Sequence, residues 1–151
     1  MTYVQAEYAG YSAPAAAKPK AGRTIRQQRL ERLAEILEEH GNSVQLLTRM
    51  EYAPLQQRYE LREDQSPLWL AYQDERFREE GLASDKLGDI MNFFQLSDRE
   101  AHHLLCYCHY AGRVTSKMVA ERARDLARKK TLAQMWQAFW ARFSGEVPAV
   151  G

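Results

Sequence analysis

SDREAHHLLCYCHYAG, residues 97–112, holds both cysteines and three of the four histidines of this 151-residue chain. Ser97 and Glu100 have the S-x-x-E spacing of a capping box, in which the serine oxygen accepts from the Glu100 amide and the glutamate accepts from the Ser97 amide. Leu96 and Ala101 stand where a hydrophobic staple would fix the entry of the chain into a helix. Ala101, Leu104, Leu105 and Cys108 then recur at i, i+3, i+4 and i+7, which predicts one apolar helix face running to a left-handed stop at Gly112. A helix of this kind, repeated along the chain, sets the fold class.

On that continuous helix a second stripe carries His102, Cys106 and His109, residue types that ligate zinc. These three are the candidate metal ligands. A straight helix would spread them over ~10 Å, which argues for half-buried packing residues over a shared ion. The same geometry sends Cys106 and Cys108 in different directions, so no bridge between them is expected. Cys108, on the core stripe, is expected to be the protected thiol and Cys106 the reactive one.

Outward from this stretch the helical signals continue in both directions. Upstream, Thr24 and Gln27 form another capping box, before a helix with Leu30, Leu33, Ala34 and Leu37 inward and a stop at His40-Gly41. Short helices are expected over 43–53 and 55–62, then one from Ser66-Pro67 to Gly81, and one capped by Ser84. Downstream, Thr115 or Ser116 caps a basic helix through Lys130, and Thr131 opens LAQMWQAFWARF. No run alternates as a strand does. The expected fold is therefore all-α: a compact multi-helix bundle of about seven helices with short connections, covering 24–145, between a flexible tail at 1–23 and a short tail at 146–151.

The formal net charge of +1 conceals segregation: residues 1–32 sum to +4, residues 33–100 to −8 and residues 101–151 to +5. Basic ends can bind nucleic acid, or can neutralise an acidic middle within the fold. The stretch from Ser97 through the basic helix has a helix-turn-helix outline with its turn at 111–114, which makes Lys117, Arg122, Arg124, Arg128, Lys129 and Lys130 the candidate nucleic-acid contacts. In the last helix Trp136, Phe139 and Trp140 share one wide aromatic face; core packing is its default use and docking on a protein partner or a second copy the alternative. Tyr8 and Tyr11 add aromatic anchors in the N-terminal tail.

The chain carries no glycine-rich phosphate loop, G-x-S-x-G, H-E-x-x-H or C-x-x-C, so neither an enzymatic mechanism nor a cofactor is expected. Two closely spaced cysteines and no signal-peptide or membrane-span pattern indicate a cytoplasmic protein. Its expected role is regulatory, through protein-protein contacts, with DNA binding and metal binding as alternatives.

Overall fold

The computed structural model describes residues 23–129 and 132–144. Tyr8, Tyr11 and Lys130 lie outside the described residues, as do the expected tails apart from Arg23. Among the described residues there are eight α-helices: α1 (Ile25–His40), α2 (Leu55–Arg58), α3 (Pro67–Gln73), α4 (Glu75–Glu79), α5 (Leu87–Phe94), α6 (Asp98–Leu105), α7 (Ser116–Arg128) and α8 (Leu132–Ser144). Two 3₁₀ turns, Met50–Tyr52 and Tyr107–His109, complete the element order. No helix among them is long and apolar enough to cross a membrane.

Side-chain caps fix the starts of α1, α3, α4, α6 and α7, whereas α5 follows Lys86 with no side-chain cap, because the expected cap Ser84 accepts from the Lys86 amide and donates to Asp89 instead. Thr24 Oγ1 accepts from the Gln27 amide at 3.1 Å while Gln27 Oε1 accepts from the Thr24 amide at 2.8 Å. Ser66 and Thr115 accept from the Trp69 and Met118 amides in the same way. Gly41, at φ 69°, closes α1 in the left-handed conformation that glycine adopts without strain. Asp74 ends α3 and starts α4, because its carboxylate accepts from the Phe77 amide; the helix expected through Gly81 is thus two.

The longest packing seam joins α1 to α7. Leu30, Leu33, Ala34 and Leu37 meet a face of α7 built from Val119, Ala120, Ala123, Leu126 and Ala127, where small side chains let two helix backbones approach. Phe77, Phe93 and Phe94 form an edge-to-face cluster with centroids 5.1–5.3 Å apart. At the start of α5, Gly88 donates to the Tyr59 carbonyl at 2.9 Å. A Cβ there would sit 3.0 Å from Tyr59 Cβ and 3.2 Å from Tyr59 O, so any larger residue would have to push this segment away by a few tenths of an ångström.

Two arginines on α1 are buried. Arg26 donates to the carbonyls of Gln95 and Leu126 and to Glu100 Oε2. Arg29 donates to the Phe93 carbonyl at 2.8 Å and to Glu80, and lies over the Phe93 ring.

Two sequence expectations fail in one place. No α-helix forms over 43–53: the chain is irregular there up to the Met50–Tyr52 3₁₀ turn, with Val44, Leu46, Leu47 and Met50 buried. Its backbone instead pairs with distant segments, Leu47 N–H donating to Leu105 O at 2.9 Å and Tyr107 N–H to Leu47 O at 3.1 Å. That parallel bridge requires Cys106 to be extended, at φ −109° and ψ 137°, and α6 therefore ends at Leu105, not at Gly112. The tight turn expected at 111–114 is likewise replaced by a connection from Cys106 to Thr115 containing a 3₁₀ turn.

Candidate metal centre

The exit of Cys106 from α6 rearranges every stripe assigned to a continuous helix. Cys106 becomes the buried thiol, at 1% exposure, and Cys108 the exposed one, the reverse of the sequence expectation. The two thiols also converge where divergence was expected. Their Sγ atoms are 3.4 Å apart, because an extended residue followed by a 3₁₀ turn places i and i+2 on one side.

His102, on the last turn of α6, completes a compact donor set. Its Nε2 lies 3.5 Å from Cys108 Sγ and 3.7 Å from Glu51 Oε2. Glu51 sits on the Met50–Tyr52 turn, which the Leu47 bridge holds against the end of α6. One donor atom each from Glu51, His102, Cys106 and Cys108 falls within 4.8 Å of the other three. Ligands around a tetrahedral zinc are separated by roughly 3.3–3.8 Å, given bonds of about 2.0–2.3 Å. The contacts at 3.4, 3.5 and 3.7 Å are already at that spacing.

Of the three ligands expected from sequence, His102 and Cys106 belong to this set and His109 supports it from behind. His109 Nε2 is 2.7 Å from His102 Nδ1, with the two rings edge to face. With Nδ1 engaged by His109, His102 Nε2 is the ring nitrogen nearer Cys108 Sγ, an arrangement like the outer-shell contacts that orient a metal-bound imidazole. Cys108, assigned to the core, and Glu51, far away in sequence, were not among the expected donors. The C-x-C-H run with a histidine four residues before it was the available signal for Cys108, whereas nothing local marks Glu51.

The turn carrying these groups is fastened to α7. Arg122 donates to the carbonyls of His103 (2.8 Å) and His109 (2.5 Å) and lies 3.7 Å over the Tyr110 ring. Tyr110 donates its hydroxyl to Leu104 O at 2.6 Å, and burial pushes that phenol up to about 12. Burial, with Arg122 nearby, holds His103 below the ordinary imidazole range. Desolvation and the contact with Cys106 push the Cys108 thiol up to about 11, so a cation binding there must displace its proton. A cleft of about 810 Å³ opens onto Glu51, His102 and His109 and gives solvent a route to the site.

The basic candidates on α7 have diverse surroundings. Arg122 is committed to the turn just described, Arg124 pairs with Glu38 at 2.6 Å, and Arg128 pairs with Asp125. Lys117 and Lys129 are exposed. On α8 the aromatic face points to solvent instead of the core: Trp136, Phe139 and Trp140 are 51%, 44% and 60% exposed. They contact one another, Trp136 stacking on Trp140 with Phe139 edge-on to both.

Comparison with protein-family models, with curated proteins and with solved structures finds no match to this chain.

Proposed function

We propose that this chain is a metal-binding helical protein that holds one thiophilic divalent cation of the zinc class through Glu51, His102, Cys106 and Cys108. The observation that carries this reading is the convergence of four zinc-type donors from two backbone segments, Glu51 and the stretch 102–108, onto a site smaller than 5 Å across. Two thiolates and an imidazole select a soft or borderline ion over magnesium or calcium, which take all-oxygen ligands. A bound ion would tie the Met50–Tyr52 turn to the end of α6, adding a cross-link where the backbone pairs through only a few hydrogen bonds.

Elemental analysis of protein purified without added zinc or imidazole tests this. Near-stoichiometric zinc is expected in the wild type and less than a tenth as much in Cys106→Ser; metal-free wild-type protein that also fails to take up added zinc would refute the reading. Affinity should fall as the solution is acidified, because both thiolates and the imidazole must be deprotonated to bind.

A second reading, protein-protein contact, draws support from the solvent-facing aromatics of α8. We propose that a second copy covers them in a symmetric, self-complementary dimer, since large exposed aromatics are uncommon on a surface with no partner. Light scattering should then give twice 17.5 kDa, and Trp140→Ala should return the chain to monomer with unchanged helix content. A wild-type monomer at high micromolar concentration would dismiss it.

A further inference from the structure

We propose that Cys106 and Cys108 are a reversible redox pair, oxidised by hydroperoxides to an intramolecular disulfide that expels the bound cation. The proposal deepens the metal-binding reading by assigning its regulation, but the thiol chemistry can be read without any metal. Its basis is the division of labour between two thiols 3.4 Å apart. Cys108 is exposed and meets a small oxidant first, whereas Cys106 is buried directly behind it. Closing the gap to a disulfide length of about 2.05 Å requires a small local shift.

The step balances as follows. The Cys108 thiol, which burial and the contact with Cys106 keep protonated, first gives up its proton; the resulting thiolate attacks one peroxide oxygen, the O–O bond breaks, and the departing hydroxide takes a proton to leave as water. Cys108 is then a sulfenic acid. The Cys106 thiolate attacks that sulfur, the S–S bond forms, the S–O bond breaks, and the second hydroxide leaves as water with another proton. Two thiolates, two protons and one hydrogen peroxide thus become one disulfide and two waters, with two electrons passing from sulfur to oxygen. A small-molecule dithiol reverses the step by thiol-disulfide exchange.

Disulfide formation removes two of the four donors at once. The remaining His102 imidazole and Glu51 carboxylate are too few for a closed zinc site, so release of the cation accompanies oxidation. Only Tyr107 lies between the cysteines, and the Leu47 and Arg122 contacts hold the flanking backbone. A disulfide confined to so short a loop is strained, which places it among the easily reduced, regulatory kind and not the structural kind.

The test treats the full-length, zinc-loaded chain with one equivalent of hydrogen peroxide. Zinc is followed with a chromogenic chelator and thiols by alkylation and mass spectrometry. The expected result is one zinc released per disulfide formed, an intact mass lower by two hydrogens, and recovery of zinc binding after dithiothreitol. In Cys106→Ser the sulfenic acid should persist at Cys108 and be trapped by dimedone. Should the protein prove metal-free, the same mass change in the zinc-free chain still supports the redox pair, even though the metal-binding reading has failed. Two free thiols after treatment, a disulfide-linked dimer, or direct overoxidation of Cys108 would each overturn the proposal.

Discussion

Phe94→Ala is expected to lower the unfolding free energy by ~3–5 kcal/mol, the range found when a large buried aromatic is truncated and its cavity fails to collapse. Phe94 has no exposed surface and stands edge-on to Phe77 at 5.3 Å and to Phe93 at 5.1 Å. Those rings come from α4 and α5, and Arg29 of α1 stacks on Phe93, so one truncation loosens the junction of three helices. Collapse around the void is hindered because Arg29 is also anchored to the Phe93 carbonyl and to Glu80. Denaturant unfolding of the zinc-free chain should show a lower midpoint with an unchanged slope. A loss below ~1 kcal/mol would mean that the site repacks freely, and that the aromatic cluster is not a rigid part of the core.

Four helix starts were legible because they depend on residues a few positions apart, whereas the Ser84 cap expected for α5 does not form. Thr24, Ser66, Ser97 and Thr115 all cap as their spacing implies. The end of α6 was not legible, because it is decided by backbone hydrogen bonds from Leu47, nearly sixty residues upstream. Side-chain periodicity continues through Cys108 without any break, and it carries no information about a bridge that pulls Cys106 out of the helix. The same bridge explains the lost helix over 43–53, whose apolar residues are buried as expected but along an irregular backbone.

The site inherits that history. His102 and Cys106 were identifiable by residue type, but their use as a pair with Cys108 and Glu51 depends on the Leu47 bridge and on the Met50–Tyr52 turn. Exposure of the α8 aromatics was unreadable for another reason. A periodic apolar face shows that something should cover it, but not whether the cover is the chain's own core. Nor does local sequence mark Arg26 and Arg29 of α1 as buried, because the carbonyls and carboxylates that receive their guanidiniums come from other segments.

Arg26→Met should cost ~2–4 kcal/mol, somewhat less than the ~3–5 found when a fully buried ion pair loses one partner, because the Glu100 side chain left behind keeps 32% of its surface in water. Arg26 reaches three acceptors in different directions: Gln95 O after α5, Glu100 in the first turn of α6, and Leu126 O near the end of α7. Methionine restores the volume but offers no donor. Arg26→Lys should rescue less than half of the loss, since a single ammonium at the end of a flexible stem cannot match a planar fork held against three groups. The clasp also bears on the proposed metal site, because α6 is held at its start by Arg26 and at its end by the Leu47 bridge and Arg122, with His102 between them. Loosening the start should weaken zinc binding without removing a ligand. Under the metal-binding reading, saturating zinc should therefore recover part of the stability lost in Arg26→Met, by about 2.7 kcal/mol at a hundredfold excess over the dissociation constant. Thermal unfolding of wild type and variant, each with and without zinc, measures this directly, and a zinc-induced shift as large in Arg26→Met as in the wild type would separate the clasp from the metal site.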